Sequence, residues 1–388
     1  MTTLDLRFAV VSDLHIGLPH TIFEHPTRFH LIEVSIPALE QVFDHLSQLD
    51  LDFLLIPGDL TQHGEPENHA WLSDRLRQLP FPAYVIPGNH DVPVPEADHQ
   101  SIGWGEFPSY YWKFGYGQAE TPKADALYYS TAIAPGVRLI GLNSNQFDPS
   151  GRQIGAMDEA QLTWLEDCLA QAQDELVLVM IHHNILEHFP HQAQHPIGQR
   201  YMLENAPALL KILRKHHVQL VFTGHLHVQD IAYRDGVFDL TTGSLVSYPH
   251  PYRVFRLTQQ DSALRLAVES HRVRQVPEFS DLQHFSREWM GDRSAPFMTT
   301  MLCQPPLNLA PRDALQIAPD LRYFWADIAD GDAAFQFPQW PQPLRRHFEA
   351  YSLRHPQEVR LNIQDNHAVI HFPVRTPINP APIDQAVH

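Results

Sequence analysis

Six short segments of the chain concentrate side chains that bind metal. They are Asp13-Leu14-His15, Gly58-Asp59, Gly88-Asn89-His90-Asp91, His182-His183, Gly224-His225-Leu226-His227 and the loop Tyr248-Pro249-His250. The first five supply aspartates, an asparagine and histidines, a mixed oxygen and nitrogen set. Such a set suits manganese, iron or zinc and suits calcium poorly, because calcium takes oxygen ligands only. Paired metals are a general device for cutting phosphate esters, since they clamp the phosphate and activate a water at neutral pH. Asp59 is the best candidate for a bridge between two ions, because a carboxylate offers two oxygens. Asn89 would add a neutral carbonyl oxygen and so keep the site positive enough to attract phosphate.

The elements that must position these residues are short apolar runs ended by turn residues. Residues 5–12 run into Asp13, residues 51–56 into Pro57-Gly58-Asp59, and residues 81–86 into Pro87-Gly88-Asn89. Residues 175–181 end at His182, and residues 217–222 at Thr223-Gly224-His225. Runs of this kind, bounded by Gly and Pro, are expected to be core strands. Ligands of open α/β sheets bind beyond the carboxyl ends of strands, so the five runs would deliver their polar residues to one edge. Within Asp13-x-His15 and His225-x-His227, an extended chain would point both side chains the same way. The glycines beside Asp59, Asn89 and His225 permit tight turns. With 26 histidines in the chain, any one His-x-His could be accidental. All five segments in this order, each after a strand-like run, make accident improbable.

The ordered blocks Asp-x-His, Gly-Asp, Gly-Asn-His-Asp, His and Gly-His-x-His resemble the calcineurin-like metallophosphoesterase superfamily. The Gly-Asn-His-Asp block looks most like bacterial class III cyclic-nucleotide phosphodiesterases and glycerophosphodiesterases. The resemblance covers residues 5 to about 270. It implies an α/β fold, a four-layer αββα sandwich of two mixed sheets flanked by helices. It implies two divalent metal ions (Mn, Fe or Zn), one held by Asp13, His15, Asp59 and His227, the other by Asp59, Asn89, His182 and His225. His182 rather than His183 is assigned because the family ligand directly follows the strand. It also implies catalytic roles at His90 and Asp91. His90 would contact the phosphate and protonate the leaving oxygen; whether Asp91 orients His90 stays open.

Composition narrows the partners. Lys plus Arg number 27 and Asp plus Glu 45, a formal net charge of −18. An acidic surface repels nucleic-acid phosphates, so a nucleic-acid partner is not expected. The expected substrate is a small phosphodiester, of the cyclic-nucleotide or glycerophosphodiester type. Alternatives are a phosphomonoesterase or a nuclease with the same site, or a silent binding protein on the same fold. No apolar stretch approaches the length of a membrane span. No secretory pattern opens the chain, and Cys168 and Cys303 are the only cysteines. This is a cytoplasmic profile, with a homo-oligomer left open.

The 388 residues divide by composition into a phosphoesterase domain, 1–274, and a Pro-rich C-terminal extension of unknown role, 275–388. Residues 38–49 have an amphipathic helical face, and Asp158-x-x-Gln161 resembles a capping box ahead of a helix. Residues 236–242, 252–258 and 263–269 are expected to be strands. The aromatic insertion 92–126, with Trp104, Phe107, Tyr110, Tyr111, Trp112, Phe114 and Tyr116, is expected to pack on the domain or form a subunit contact rather than form a lid over a base. Residues 184–203 are the expected rim of the substrate pocket. In the extension, residues 343–354 are expected to be helical, with a hairpin formed by 357–363 and 367–374 around Asp365-Asn366.

Overall fold

The computed structural model describes residues 4–23, 28–117, 126–260, 263–353 and 363–373. Two six-stranded sheets form the body. The first has the order β14-β13-β12-β1-β2-β3, with β1 Asp5–Val10, β2 Phe53–Ile56, β3 Ala83–Val85, β12 Pro251–Gln260, β13 Ala263–Arg272 and β14 His367–Pro373. The second has the order β10-β11-β9-β8-β5-β4, with β4 Tyr129–Ala134, β5 Val137–Gly141, β8 Leu176–Met180, β9 Leu220–Thr223, β10 Asp230–Arg234 and β11 Val237–Thr241. A small ribbon, β6 Asn145–Phe147 with β7 Gln153–Gly155, stands beside them. Both large sheets are mixed. β1, β2 and β3 run parallel while β12, β13 and β14 join antiparallel. In the second sheet β5, β8, β9 and β11 run parallel and β4 and β10 close the edges antiparallel.

Side-chain alternation explains how the sheets meet. Phe255, Phe8 and Phe53 are register partners on three adjacent strands, so their rings fall on one face. The Phe8 ring stacks on both, at 5.0 and 4.8 Å between centroids. Phe222 of the opposite sheet meets Phe8 edge-on at 5.6 Å, which places this aromatic row between the sheets. On β8, Leu178 and Met180 join that same core, while Val177 and Val179 face a second cluster beneath the helices Glu159–Gln171 and Ala206–Lys215. The helices Ser35–Leu46 and Pro66–Leu76 cover the other outer face, tied together by Arg75 and Glu40 at 2.7 Å. The result is the αββα sandwich expected from the resemblance. Asp158 caps its helix by accepting from the Gln161 amide at 2.7 Å. The Gln161 side chain does not complete a capping box; it bonds the backbone of Asn143.

Packing does not divide at residue 274. β14 forms the edge of the first sheet through seven register pairs with β13, so a C-terminal segment completes the sheet begun by β1. The long helix Leu282–Cys303 and the helices Pro311–Ile317, Phe324–Asp330 and Gln342–Glu349 build their own apolar cluster. A further cluster joins Phe189, Leu226 and Val228 to Ala329. The expected 357–363 strand lies outside the described residues except for residue 363, and the strand His367–Pro373 pairs with β13. In the aromatic insertion, Phe107, Tyr111, Phe114 and Tyr116 are buried in the main core, as expected for a packing role.

Candidate metal centre

The strands deliver the motifs from two sheets, not one. β1, β2 and β3 lead to Asp13, Asp59 and Asn89, and β8 and β9 lead to His182 and His225. The first two loops run side by side, with the amides of Asp13 and His15 donating to the carbonyls of Gly58 and Asp59 at 3.2 and 2.9 Å. The amide of Gly224 donates to the His182 carbonyl at 3.1 Å, which joins the other two. Close approach explains the glycines. A Cβ on Gly88 would collide with the Asp59 backbone and carboxylate, and one on Gly224 with the Ser12 hydroxyl and Asp13 carboxylate.

The backbone here departs from an extended chain. Asp13, His15, Asp59, His225, His227 and His250 all have positive φ, between 43 and 65°. Non-glycine residues rarely adopt this region, and such strain gathers where a site over-determines the conformation. Asp13 and His15 therefore share a side because both sit in left-handed turns, not because a strand alternates; His225 and His227 do likewise.

Two adjoining groups of donor atoms result, each with all atoms within 4.8 Å of one another: Asp13, His15, Asp59 and His227, and Asp59, His182 and His225. His15 Nε2 lies 3.4 Å from His227 Nε2, and His227 Nε2 lies 3.0 Å from Asp13 Oδ1. In the second group, His182 Nε2 lies 3.3 Å from Asp59 Oδ2 and 3.1 Å from Asn89 Oδ1. Two cis ligands of an octahedral ion with bonds near 2.1 Å stand about 3 Å apart, so these spacings fit donors arranged around ions. Asp59 offers one oxygen to both groups. Its Oδ2 is 3.7 Å from His15 Nε2 and 3.3 Å from His182 Nε2, while Oδ1 accepts the His90 amide at 2.8 Å.

The clustered groups shift one another's protonation. Burial alone would raise the Asp59 pKa, but the facing imidazoles of His182 and His90 outweigh it and hold the carboxylate well below its ordinary value. Burial opposes protonation of His182, yet Asp59 raises it to about 9. Burial and the neighbouring histidines hold His15 and His225 well below the usual value. Outer partners fix the rings. His182 Nδ1 donates to the Pro57 carbonyl at 2.8 Å, which turns Nε2 into the cluster. His225 Nε2 lies 3.1 Å from the Arg200 carbonyl, leaving Nδ1 as its donor atom. His183 faces elsewhere: its Nδ1 pairs with the Ser144 hydroxyl at 2.8 Å, and burial pushes it down to about 3.

His90 lies at the mouth, its ring edge-on to His15 at 4.7 Å and its Nδ1 2.6 Å from the Gln62 carbonyl. Asp91 does not orient it. The buried Asp91 carboxylate accepts the amides of Leu60, Thr61 and Gly88 at 3.0, 2.8 and 2.8 Å, and so ties the Gly58 and Gly88 loops together. Burial and the nearby Asp59 charge raise it to about 7. His250 joins neither group; its Nδ1 bonds the Leu245 carbonyl, and Ser244 of the same segment braces Asp13 by donating to its carbonyl at 2.9 Å. In the 184–203 segment, Tyr201 packs on His225 at 5.2 Å, whereas His188 is buried away from the centre between Asp230 and Asp239. The structure adds a residue that the motifs do not reveal. His30 lies 4.4 Å from His15 and 4.7 Å from His227 between ring centroids. A lone histidine in a loop between motifs carries no spacing signal.

A two-sheet sandwich with a mixed carboxylate, amide and imidazole cluster at its loop end defines a phosphoesterase class. The family model for calcineurin-like phosphoesterases matches residues 6–229, more than half the chain. The chain belongs to that family, and is a phosphoesterase. It is similar to a probable cyclic nucleotide phosphodiesterase of Synechococcus, 30% identical over 58% of this chain and 74% of that one. It is also similar to a probable glycerophosphodiester phosphodiesterase of Arcobacter nitrofigilis, 30% identical over 45% of this chain and 55% of that one. A third relative is the 3',5'-cyclic adenosine monophosphate phosphodiesterase of Escherichia coli, 26% identical over 49% and 58%. Among solved structures, a dimetal phosphatase from Danio rerio aligns with a TM-score of 0.48 at 16% identity, covering 69% of this chain and 96% of that one. Among the described residues, no helix is long and apolar enough to cross a membrane.

Proposed function

We propose that the protein is a dinuclear-metal hydrolase of small phosphodiesters, of the cyclic-nucleotide or glycerophosphodiester type. The single observation that carries this is the sharing of Asp59 Oδ2 between two adjoining donor groups. Asp13, His15, Asp59 and His227 would hold one ion, and Asp59, Asn89, His182 and His225 the other. Two divalent ions there would supply Lewis-acid stabilisation of phosphate charge and activation of the attacking water. The relatives named as diesterases support the diester.

The chain's own residues do the rest. Asn89 adds a donor without charge, so the site keeps a positive balance for an anion. With His90 Nδ1 held by the Gln62 carbonyl, a proton on Nε2 is the one available to a leaving oxygen, which is the general-acid role. Asp91 keeps the two loops that carry Asp59 and His90 in register. The test is turnover of bis(4-nitrophenyl) phosphate against 4-nitrophenyl phosphate by the manganese-loaded protein. A diesterase turns over the former faster; a preference for the monoester would overturn the diester assignment.

A further inference from the structure

His30 lies outside every motif segment, yet ring contacts with His15, His227 and His90 place it at the centre. One of its ring nitrogens lies within 4.8 Å of ligand nitrogens on both His15 and His227. The carbonyl of Gln62 bonds His90, whose ring is 6.2 Å from that of His30. Its loop is anchored on both sides. The Leu31 amide donates to the Val246 carbonyl at 2.7 Å. The Trp289 indole N–H, from the C-terminal helix Leu282–Cys303, donates to the Phe29 carbonyl at 3.1 Å. Trp289 is fixed in turn by the Arg293 guanidinium, 3.2 Å over its ring, and by Phe285 at 6.1 Å.

Coordination geometry separates two roles for this imidazole. Any two ligands of one octahedral ion with bonds near 2.1 Å are at most about 4.2 Å apart. A fifth ligand beside Asp13, His15, Asp59 and His227 should therefore group with the two carboxylates. Among the described residues, His30 groups with His15 and His227 and with neither Asp13 nor Asp59. It stands outside the ligand set, on the side where His90 stands.

We propose that His30 is a substrate-contacting residue, a second imidazole beside His90 that hydrogen-bonds a non-bridging phosphate oxygen, and that Trp289 positions it. The proposal rests on the metal-dependent phosphoesterase assignment above. It gives the C-terminal segment a part in the site: one hydrogen bond from its long helix sets the loop that carries His30.

The test uses the full chain loaded with manganese, with inorganic phosphate as the probe. Phosphate binding is measured by calorimetry and metal content by elemental analysis, for wild type, His30→Ala, His30→Gln and Trp289→Phe. A hydrogen bond to a charged group is strong enough that His30→Ala should weaken phosphate by about tenfold or more. Metal content should stay at the wild-type value, KM should rise more than kcat falls, and His30→Gln, which keeps a donor, should recover part of the loss. Trp289→Phe keeps the ring and loses only the N–H, so it should weaken phosphate by a smaller factor at unchanged metal content. Loss of an ion from His30→Ala would make His30 a ligand and overturn the proposal, as would unchanged phosphate affinity in that variant. Failure of the underlying assignment is distinct: the wild-type protein itself would then bind no metal.

Discussion

Raising pH should unfasten the segment that follows His182, through one buried histidine. The His188 Nδ1 donates to Asp230 Oδ2 at 2.7 Å, and its Nε2 lies 3.3 Å from Asp239 Oδ2. Asp239 also accepts the amides of Ile185 and Leu186 and the hydroxyl of Thr223, at 2.8, 3.0 and 2.6 Å. The triad thus links the chain just after one ligand to the chain just before another. Burial opposes the charged imidazole, but the two carboxylates raise it from 6.5 to about 9. A folded-state value above the unfolded one stabilises fully below pH 6.5 and is lost as pH rises through about 9. That gap, at roughly 1.4 kcal/mol per pH unit, amounts to roughly 3 kcal/mol. The assay is urea unfolding of wild type and His188→Gln between pH 6 and pH 9.5, with chelator present so that metal occupancy does not vary. The wild type should lead by the largest margin at the acid end, and the margin should shrink by roughly 3 kcal/mol at the alkaline end. A margin that does not change with pH would mean that the native imidazole is uncharged, and the reasoning would fail.

Other consequences are equally direct. Asp59→Asn should lower the content of both ions, and His15→Ala mainly one, by elemental analysis of the purified variants. His90→Ala should retain both ions and slow alkoxide-leaving substrates by roughly two to four orders of magnitude, with a smaller loss for nitrophenolate; equal loss across a leaving-group series would remove the acid role. Ending the chain at residue 274 removes β14 and uncovers Leu226 and Val228, which alternate with His225 and His227. Such a truncation should lose metal binding along with soluble yield, and a folded truncation that kept its ions would contradict the packing described.

The proposed donor set was legible as a cluster because each of its motifs follows a strand and needs a special turn, so Gly58, Gly88 and Gly224 mark the places. Those glycines answer to close approach: their missing Cβ atoms make room for His182, Asp59 and Asp13. Local pattern could not show that the shared orientation of Asp13 and His15 comes from left-handed turns, since both conformations give the same spacing in sequence. It could not show the partners of Asp91 either, because adjacency to His90 says nothing about which way a carboxylate turns. The place of His30 and the pairing partner of β14 were hidden for a common reason. Each gains its meaning from contacts far along the chain, His30 from His227 and the Trp289 helix, β14 from β13. The 274 boundary followed a change in composition, while the sheet continued across it.

The central claim is that one carboxylate oxygen serves two ions at once. The most direct measurement is the low-temperature electron paramagnetic resonance spectrum of the protein titrated with manganese, read beside elemental analysis. A spin-coupled signal that saturates at about two ions per chain, and that disappears in Asp59→Asn, is the expected result. Binding of a single ion, or two uncoupled ions whose signal survives Asp59→Asn, would contradict the account.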